Sequence, residues 1–230
     1  MPQPTSIVML GATGAVGNHA ALVLASLPGV KRLLLLGRRP ATNVVGTSVA
    51  QETVDIFAPA SYRMLLDGHQ TAICTLGVGQ PSKMSESDFV RIDRDAVLDF
   101  ATACKQAGVQ HFELLGAVGA NAKSASLYLR TKGELEDGLI GLGFERLSLF
   151  QPSVIVTPTN RYGLSQAILL LGMPLIDPLL IVSLRKFRSI DVERLGKAIA
   201  MNVLEDKQGL ETLHWDQVMS LSTRPGASRV

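Results

Sequence analysis

Ile7-Val8-Met9-Leu10-Gly11-Ala12-Thr13-Gly14-Ala15-Val16-Gly17 joins a short apolar run to a glycine-punctuated turn, and Ala15 to Leu27 then continue as an apolar-rich helix. A strand feeding a helix through glycines opens a βαβ unit, and the chain repeats that rhythm. Leu33 to Leu36, Val54 to Phe57 and Thr71 to Leu76 read as the second, third and fourth strands. From Ser87 to Ala107, Phe89, Ile92, Ala96, Val97, Phe100 and Cys104 recur at helical spacing while Arg91, Asp93, Arg94, Asp95 and Asp99 take other faces, with Gly108 as the stop. His111 to Leu115 gives a fifth strand, Leu127 to Leu142 a helix and Phe144 to Phe150 a sixth strand. Past Pro152 the rhythm weakens until Asp191 to Leu204, an amphipathic helix with Asp191 as N-cap. Six strands separated by helices predict an α/β fold: a doubly wound parallel sheet with a small C-terminal substrate-side segment. Its ligand crevice is expected at the carboxyl ends of the strands.

The glycines have a chemical reading. A dinucleotide pyrophosphate needs a tight turn, backbone approach unobstructed by a Cβ, and the positive end of a helix. Gly11, Thr13, Gly14, Ala15, Val16 and Gly17 are the candidate contacts. After the second strand come Gly37, Arg38 and Arg39, where an NAD-specific site places an acidic residue. Two guanidinium groups there favour a 2′-phosphate, hence NADP(H), unless they are solvated loop arginines. Asp55, beside Ile56 at the predicted end of the third strand, either accepts a hydrogen bond from the adenine amino group or serves as a turn residue. Leu76 and Gly77 follow the fourth strand where backbone would approach the cofactor ribose; Gly77 and Gly79 read equally as loop glycines.

Tyr128 and Lys132 lie four residues apart on one predicted helix and share a face, the arrangement of a proton donor and its ammonium partner. A tyrosine with a pKa of ~10 is a poor acid-base group at neutral pH, and a nearby ammonium together with the nicotinamide charge is expected to lower that value.

With 230 residues, 47% hydrophobic and 18% charged, the chain can bury a sizeable core, which excludes global disorder. Lysine and arginine number 22 against 20 acidic residues, a net charge of +2 that implies no nucleic-acid partner. Residues 1–230 are expected to form a single domain, with 1–155 the dinucleotide-binding core and 156–230 a substrate-side and packing segment. Cys74 and Cys104 lie in apolar stretches, which fits a reducing compartment, and Met1 to Ser6 carry no basic region of a secretory signal. A cytoplasmic location is therefore expected. The four histidines are scattered without metal-site spacing, so no metal is expected. The apolar stretch from Leu164 to Val182 is interrupted by Gly172, Pro174, Asp177 and Pro178, and a membrane span needs about 20 continuous apolar residues. It reads either as a core or subunit-contact helix or as an apolar wall over a substrate pocket. A homo-oligomer or a protein partner is left open.

Four segments together resemble the atypical short-chain dehydrogenase/reductases, notably their Tat-interacting-protein-like oxidoreductase branch. They are Gly11 to Gly17, spaced Gly-x-x-Gly-x-x-Gly; Gly37 to Arg39; Phe89 to Asp95; and Tyr128 to Glu136. The resemblance runs through most of residues 6–155. It implies an NADPH-binding Rossmann protein in which Tyr128 matches the catalytic tyrosine and Lys132 its partner, with Pro152 and Val154 passing near the nicotinamide. Two departures stand out. Serines usually end the fifth strand in that family, one of them binding the substrate oxygen, and here the chain reads Gly116-Ala117. Ser124, Ser126 or a backbone N–H are the substitutes at hand. Gln151 stands where the resembling proteins commonly carry arginine. The implied activity is an NADPH-dependent oxidoreductase acting on an unidentified carbonyl-type small molecule; the alternative is an NADP(H)-binding regulatory or interaction protein with little turnover.

Overall fold

In the computed structural model, residues 5–78, 84–157 and 177–225 are described. The strands β1 (Thr5–Leu10), β2 (Val30–Gly37), β3 (Val49–Thr53), β4 (Thr71–Cys74), β5 (His111–Leu115), β6 (Arg146–Phe150) and β9 (Gly209–Leu213) form one sheet in the order β3-β2-β1-β4-β5-β6-β9. Every pairing is parallel. Helices α1 (Ala15–Ser26), α5 (Val192–Asn202) and α6 (Trp215–Ser222) cover one face; α3 (Ala96–Gln106) and α4 (Leu127–Gly141) cover the other. Alternation along β1 divides the core. Ile7 and Met9 join Leu33, Leu35 and Ile73 beneath α1 and α5, while Val8 and Leu10 join Leu34, Leu36, Phe112 and Leu149 beneath α3 and α4. A strand buried on both faces has no polar side, which is why β1 and β2 read as unbroken apolar runs. This is the expected doubly wound α/β sheet.

Three expectations are corrected. The third strand is Val49–Thr53, not Val54 to Phe57. It is the sheet edge, so Gln51 and Glu52 are tolerated there, and Gln51 spends its amide on the backbone of Ala41 and Val44. Val54 and Ile56 are apolar because they enter the core after the strand has ended. The long helix begins at α2 (Glu86–Val90), capped by Ser85, and passes through a π-helical turn at Arg91–Asp95 before α3. A seventh strand, β9, also escapes the pattern because Gly209, Leu210 and Thr212 are exposed and only Leu213 is buried. Asp191 does cap α5, accepting the Arg194 N–H at 2.8 Å. The short strands β7 (Ile155–Val156) and β8 (Ile190–Asp191) pair in parallel. Of the apolar stretch Leu164 to Val182, residues 164–176 lie outside the described residues, as do Gly79 and 226–230 of the tail.

What secures β9 is polar. Arg146 of β6 donates to Glu211 of β9 at 2.7 Å, to Asn202 of α5 at 2.9 Å and to the Glu205 carbonyl at 2.7 Å. The Ser148 hydroxyl gives its one proton to Glu211 at 2.7 Å, so His111, 2.9 Å from the same oxygen, must be the donor through a protonated Nε2. Burial, then Arg146, brings His111 down to about 3, keeping the ring neutral. Burial works to raise Glu211, but hydrogen bonds from Ser148, Arg146 and Lys207 outweigh it and bring the carboxyl down to about 2. Glu113 is the opposite case. Burial pushes it up to about 8 against one hydrogen bond from Asn202.

Because folded Glu113 keeps its proton to about pH 8 and an ordinary glutamate loses it near 4.5, the fold binds more protons across that window. Stability therefore falls as pH rises through it, by up to about 1.4 kcal/mol per pH unit. Glu113→Gln keeps an acceptor for Asn202 and removes the proton. Urea unfolding should find it no more stable than the parent at pH 5 and clearly more stable at pH 8.5.

Candidate active site

The glycine turn closes against the end of β4. Gly11 adopts φ 102°, and a Cβ there would fall 2.7 Å from the Leu76 nitrogen and Thr75 Oγ1; a Cβ on Gly17 would strike the Gly11 carbonyl and the same hydroxyl. These two glycines let the turn nest on β4. Gly14 is different. Its φ of −74° suits any residue, and an added Cβ would meet only the Gly11 carbonyl at 3.3 Å. Its bare Cα leaves the space before α1 open. Gly14 is also the N-cap of α1, with no side-chain cap and no acidic residue in the first turn. The first-turn N–H groups of Ala15, Val16 and Gly17 therefore point at that space, the first closed bond being Asn18 N–H to the Gly14 carbonyl at 2.9 Å. Thr13 is exposed beside them, whereas the Val16 side chain belongs to the core. This cradle fits a pyrophosphate.

Leu10 pairs with Leu36, so Gly11 and Gly37 follow them side by side at the carboxyl ends of β1 and β2. Arg38 and Arg39 follow, both exposed, and among the described residues neither side chain has a hydrogen-bond or ion-pair partner. Asp55 is exposed just past β3, and its Oδ1 accepts the Phe57 N–H at 2.9 Å, a turn role; the Ile56 side chain is 2% exposed and packs in the core.

The loop after β4 reaches the second half of the site. A Cβ on Gly77 would lie 3.2 Å from Asp93 Oδ1 and 3.6 Å from Lys132 Nζ. Those two atoms form an ion pair at 2.7 Å, with the side chains 1% and 5% exposed, and Asp93 Oδ2 accepts the Val78 N–H at 2.7 Å. Asp93 sits in the π-helical turn, a distortion that recurs at functional sites. Sequence reasoning counted Asp93 among the polar faces of its helix and within the Phe89 to Asp95 segment, without giving it a role of its own. The available signal was Lys132 itself, since a lysine buried on α4 needs an anion. Burial opposes the Lys132 charge, but Asp93 and Tyr128 outweigh it and hold the ammonium above its ordinary value.

Tyr128, one helical turn before Lys132, is half-buried and stacks on Phe89 with ring centroids 6.0 Å apart. The ammonium alone does not lower the phenol. Burial raises it, Lys132 lowers it and Asp93 raises it, for a net rise above 10.0. Burial outweighs the pull of the ammonium, which Asp93 partly offsets. Gly116 and Ala117 are both buried at the end of β5 and bring no hydroxyl. Of the substitutes, Ser124 Oγ accepts the Ser126 N–H at 3.2 Å, and Ser126 is exposed. Past β6, the Pro152 carbonyl accepts the Val118 N–H and the Val154 carbonyl accepts the Ile190 N–H, each at 2.9 Å.

No family model matches the chain. Protein HTATIP2 of Rattus norvegicus is 36% identical over 156 residues, which is 67% of this chain and 64% of that protein. Protein FMP52-1, mitochondrial, of Scheffersomyces stipitis is 31% identical over 153 residues, 66% of this chain and 67% of its own length. The chain belongs to the atypical short-chain dehydrogenase/reductase family. The chain matches just under two thirds of the rat protein's length. Among solved structures, MoeE5 in complex with UDP-glucuronic acid and NAD superposes with a TM-score of 0.70 at 17% identity, over 90% of this chain and 75% of that one. The Bordetella bronchiseptica enzyme WbmH in complex with NAD+ gives a TM-score of 0.67 at 16% identity, over 91% and 75%. At such identities the likeness establishes the Rossmann fold. An NAD(P)-binding, oxidoreductase-like family agrees with the glycine cradle.

The expectation of a cytoplasmic location is overturned, because several fungal members of this family are named mitochondrial. The absence of a basic secretory region argued only against secretion. Among the described residues no helix is long and apolar enough to cross a membrane.

Asp93→Ala leaves a buried ammonium alone, and chemical denaturation should register a loss of about 3–5 kcal/mol. Adding Lys132→Met should recover part of it, so that the double variant costs less than the sum of the singles.

Proposed function

We propose that the chain is an NADPH-dependent oxidoreductase that reduces a carbonyl-type substrate, with Tyr128 as the proton donor. The observation that carries this reading is the Leu76-Gly77 step. Leu76 touches the glycine turn and Gly77 touches the Lys132–Asp93 pair, so two consecutive residues join the phosphate cradle to the reactive face. When bound, the dinucleotide supplies the hydride. The open N–H groups of Ala15, Val16 and Gly17 hold its pyrophosphate, and Arg38, with Arg39 beside it, grips the 2′-phosphate. Asp55 and the backbone of Ile56 would border the adenine, Leu76 and Gly77 the ribose, Pro152 and Val154 the nicotinamide. Lys132, fixed by Asp93, orients the ribose hydroxyls and Tyr128. The phenol is protonated at neutral pH, the form a donor to a developing alkoxide needs, and its rise makes it a weaker acid that depends on the basicity the alkoxide gains as hydride arrives. In this reading residues 1–230 work as one Rossmann-type domain, with 1–155 holding the dinucleotide and 156–230 bordering the substrate.

A second reading has its own observation. Loss of an oxyanion donor typically costs about 10²–10³ in turnover, and Gly116 and Ala117 offer none. An NADP(H)-binding interaction protein with little turnover accounts for that absence.

NADPH fluorescence should respond to the protein in either case, but only the reductase oxidises NADPH with a panel of carbonyl compounds. Tyr128→Phe should lower that rate by about 10²–10⁴-fold with NADPH affinity unchanged. Full activity in Tyr128→Phe would remove the donor assignment. Arg38→Ala should weaken NADPH by about 10–100-fold and leave NADH nearly untouched; equal losses for both would remove the 2′-phosphate assignment.

A further inference from the structure

The two departures from the resembling proteins, Gly116-Ala117 and Gln151, meet at one side chain. Glu136 lies four residues beyond Lys132 and eight beyond Tyr128, so α4 carries all three along one face. It is 6% exposed. Gln151 Nε2 donates to its Oε2 at 2.8 Å, while Oε1 is buried without a hydrogen-bond partner. Oε1 stands where a side chain at position 116 would begin: a Cβ on Gly116 would fall 2.7 Å from it. A side chain at 116 would displace the Glu136 carboxyl from this place, so Gly116 leaves room for it. Gln151 satisfies one oxygen without bringing a charge, whereas an arginine would neutralise the carboxylate.

We infer that Glu136 is a positioning residue of the Tyr128–Lys132 site: a carboxyl filling the side-chain space left open at Gly116, whose gain or loss of a proton sets the charge behind Lys132. Burial pushes it up to about 7, against the hydrogen bond from Gln151 and the charge of Lys132, with Asp137 adding to the rise. Lys132 and Asp137, both on α4, are the charged groups that bear on it. Gly116 beyond β5 and Gln151 beyond β6 are the neutral neighbours from the strands. With Glu136 protonated, Lys132 and Asp93 balance. With it ionised, a second negative charge acts on Lys132 from beyond ion-pair distance, and by linkage the ammonium is held more firmly in its charged form. The catalytic meaning of that charge rests on the function proposed above; the charge itself does not.

The test therefore uses the full chain without cofactor. Carboxyl ¹³C signals of labelled glutamate and ¹⁵Nζ signals of labelled lysine are followed from pH 5 to 9. Glu136 should titrate near neutrality and the Lys132 Nζ shift should inflect at the same pH. The shared inflection should vanish in Glu136→Gln, and in Gln151→Arg both midpoints should fall together by about 1–3 pH units. Titration of Glu136 in the ordinary carboxylate range, a Lys132 signal indifferent to it, or no movement in Gln151→Arg would each overturn the inference. Failure of the parent to bind or oxidise NADPH would strike the proposed function instead.

Discussion

A lysine out of water must be paired or discharged, and the pairing of Lys132 with Asp93 is the constraint around which the site is arranged. The pair joins α4, the π-helical turn and, through the Val78 N–H, the loop leaving β4. That loop is the one on which the Gly11 turn rests. Moving any of these pieces would strand a charge in the core, so the phosphate cradle and the proposed proton donor are held in one relation by electrostatics as well as by packing.

The pair also changes the meaning of the tyrosine. Read alone, Tyr128 and Lys132 suggest a cation poised to draw out a phenolate. Burial outweighs that cation, Asp93 offsets part of its pull, and the phenol stays protonated. In the proposed reduction that is the useful state, since the group has to give a proton to an oxygen whose basicity rises as hydride arrives. Glu136 then belongs to the same electrostatic unit, one helical turn deeper on α4.

Sequence revealed those parts of the fold where burial is two-sided. β1, β2, β5 and the helices flanking the sheet were legible because apolar runs and helical spacing are the direct trace of the core. The edges were not. β3 and β9 have a solvent side, and β9 is retained by Arg146 and Glu211, a partnership across 65 residues that no local window contains. In the site, the glycine turn was legible because its chemistry is local, and the i, i+4 spacing of Tyr128 and Lys132 likewise. Asp93 was missed because its partner lies on another helix, and Glu136 because its neighbours are defined by what Gly116 and Gln151 fail to provide. Arg38 and Arg39 are legible as charges, with their specificity left to the ligand.

The manner in which β9 is attached has a consequence for how the molecule comes apart. Its outer row of backbone groups has no neighbour among the described residues, and little of its hold is greasy surface. Amide protons of β9 are thus set to exchange with solvent by peeling of the margin, while those of β1 and β4 wait for the whole sheet to open. The β9 margin of the sheet can loosen while the part around β1 and β4 stays closed.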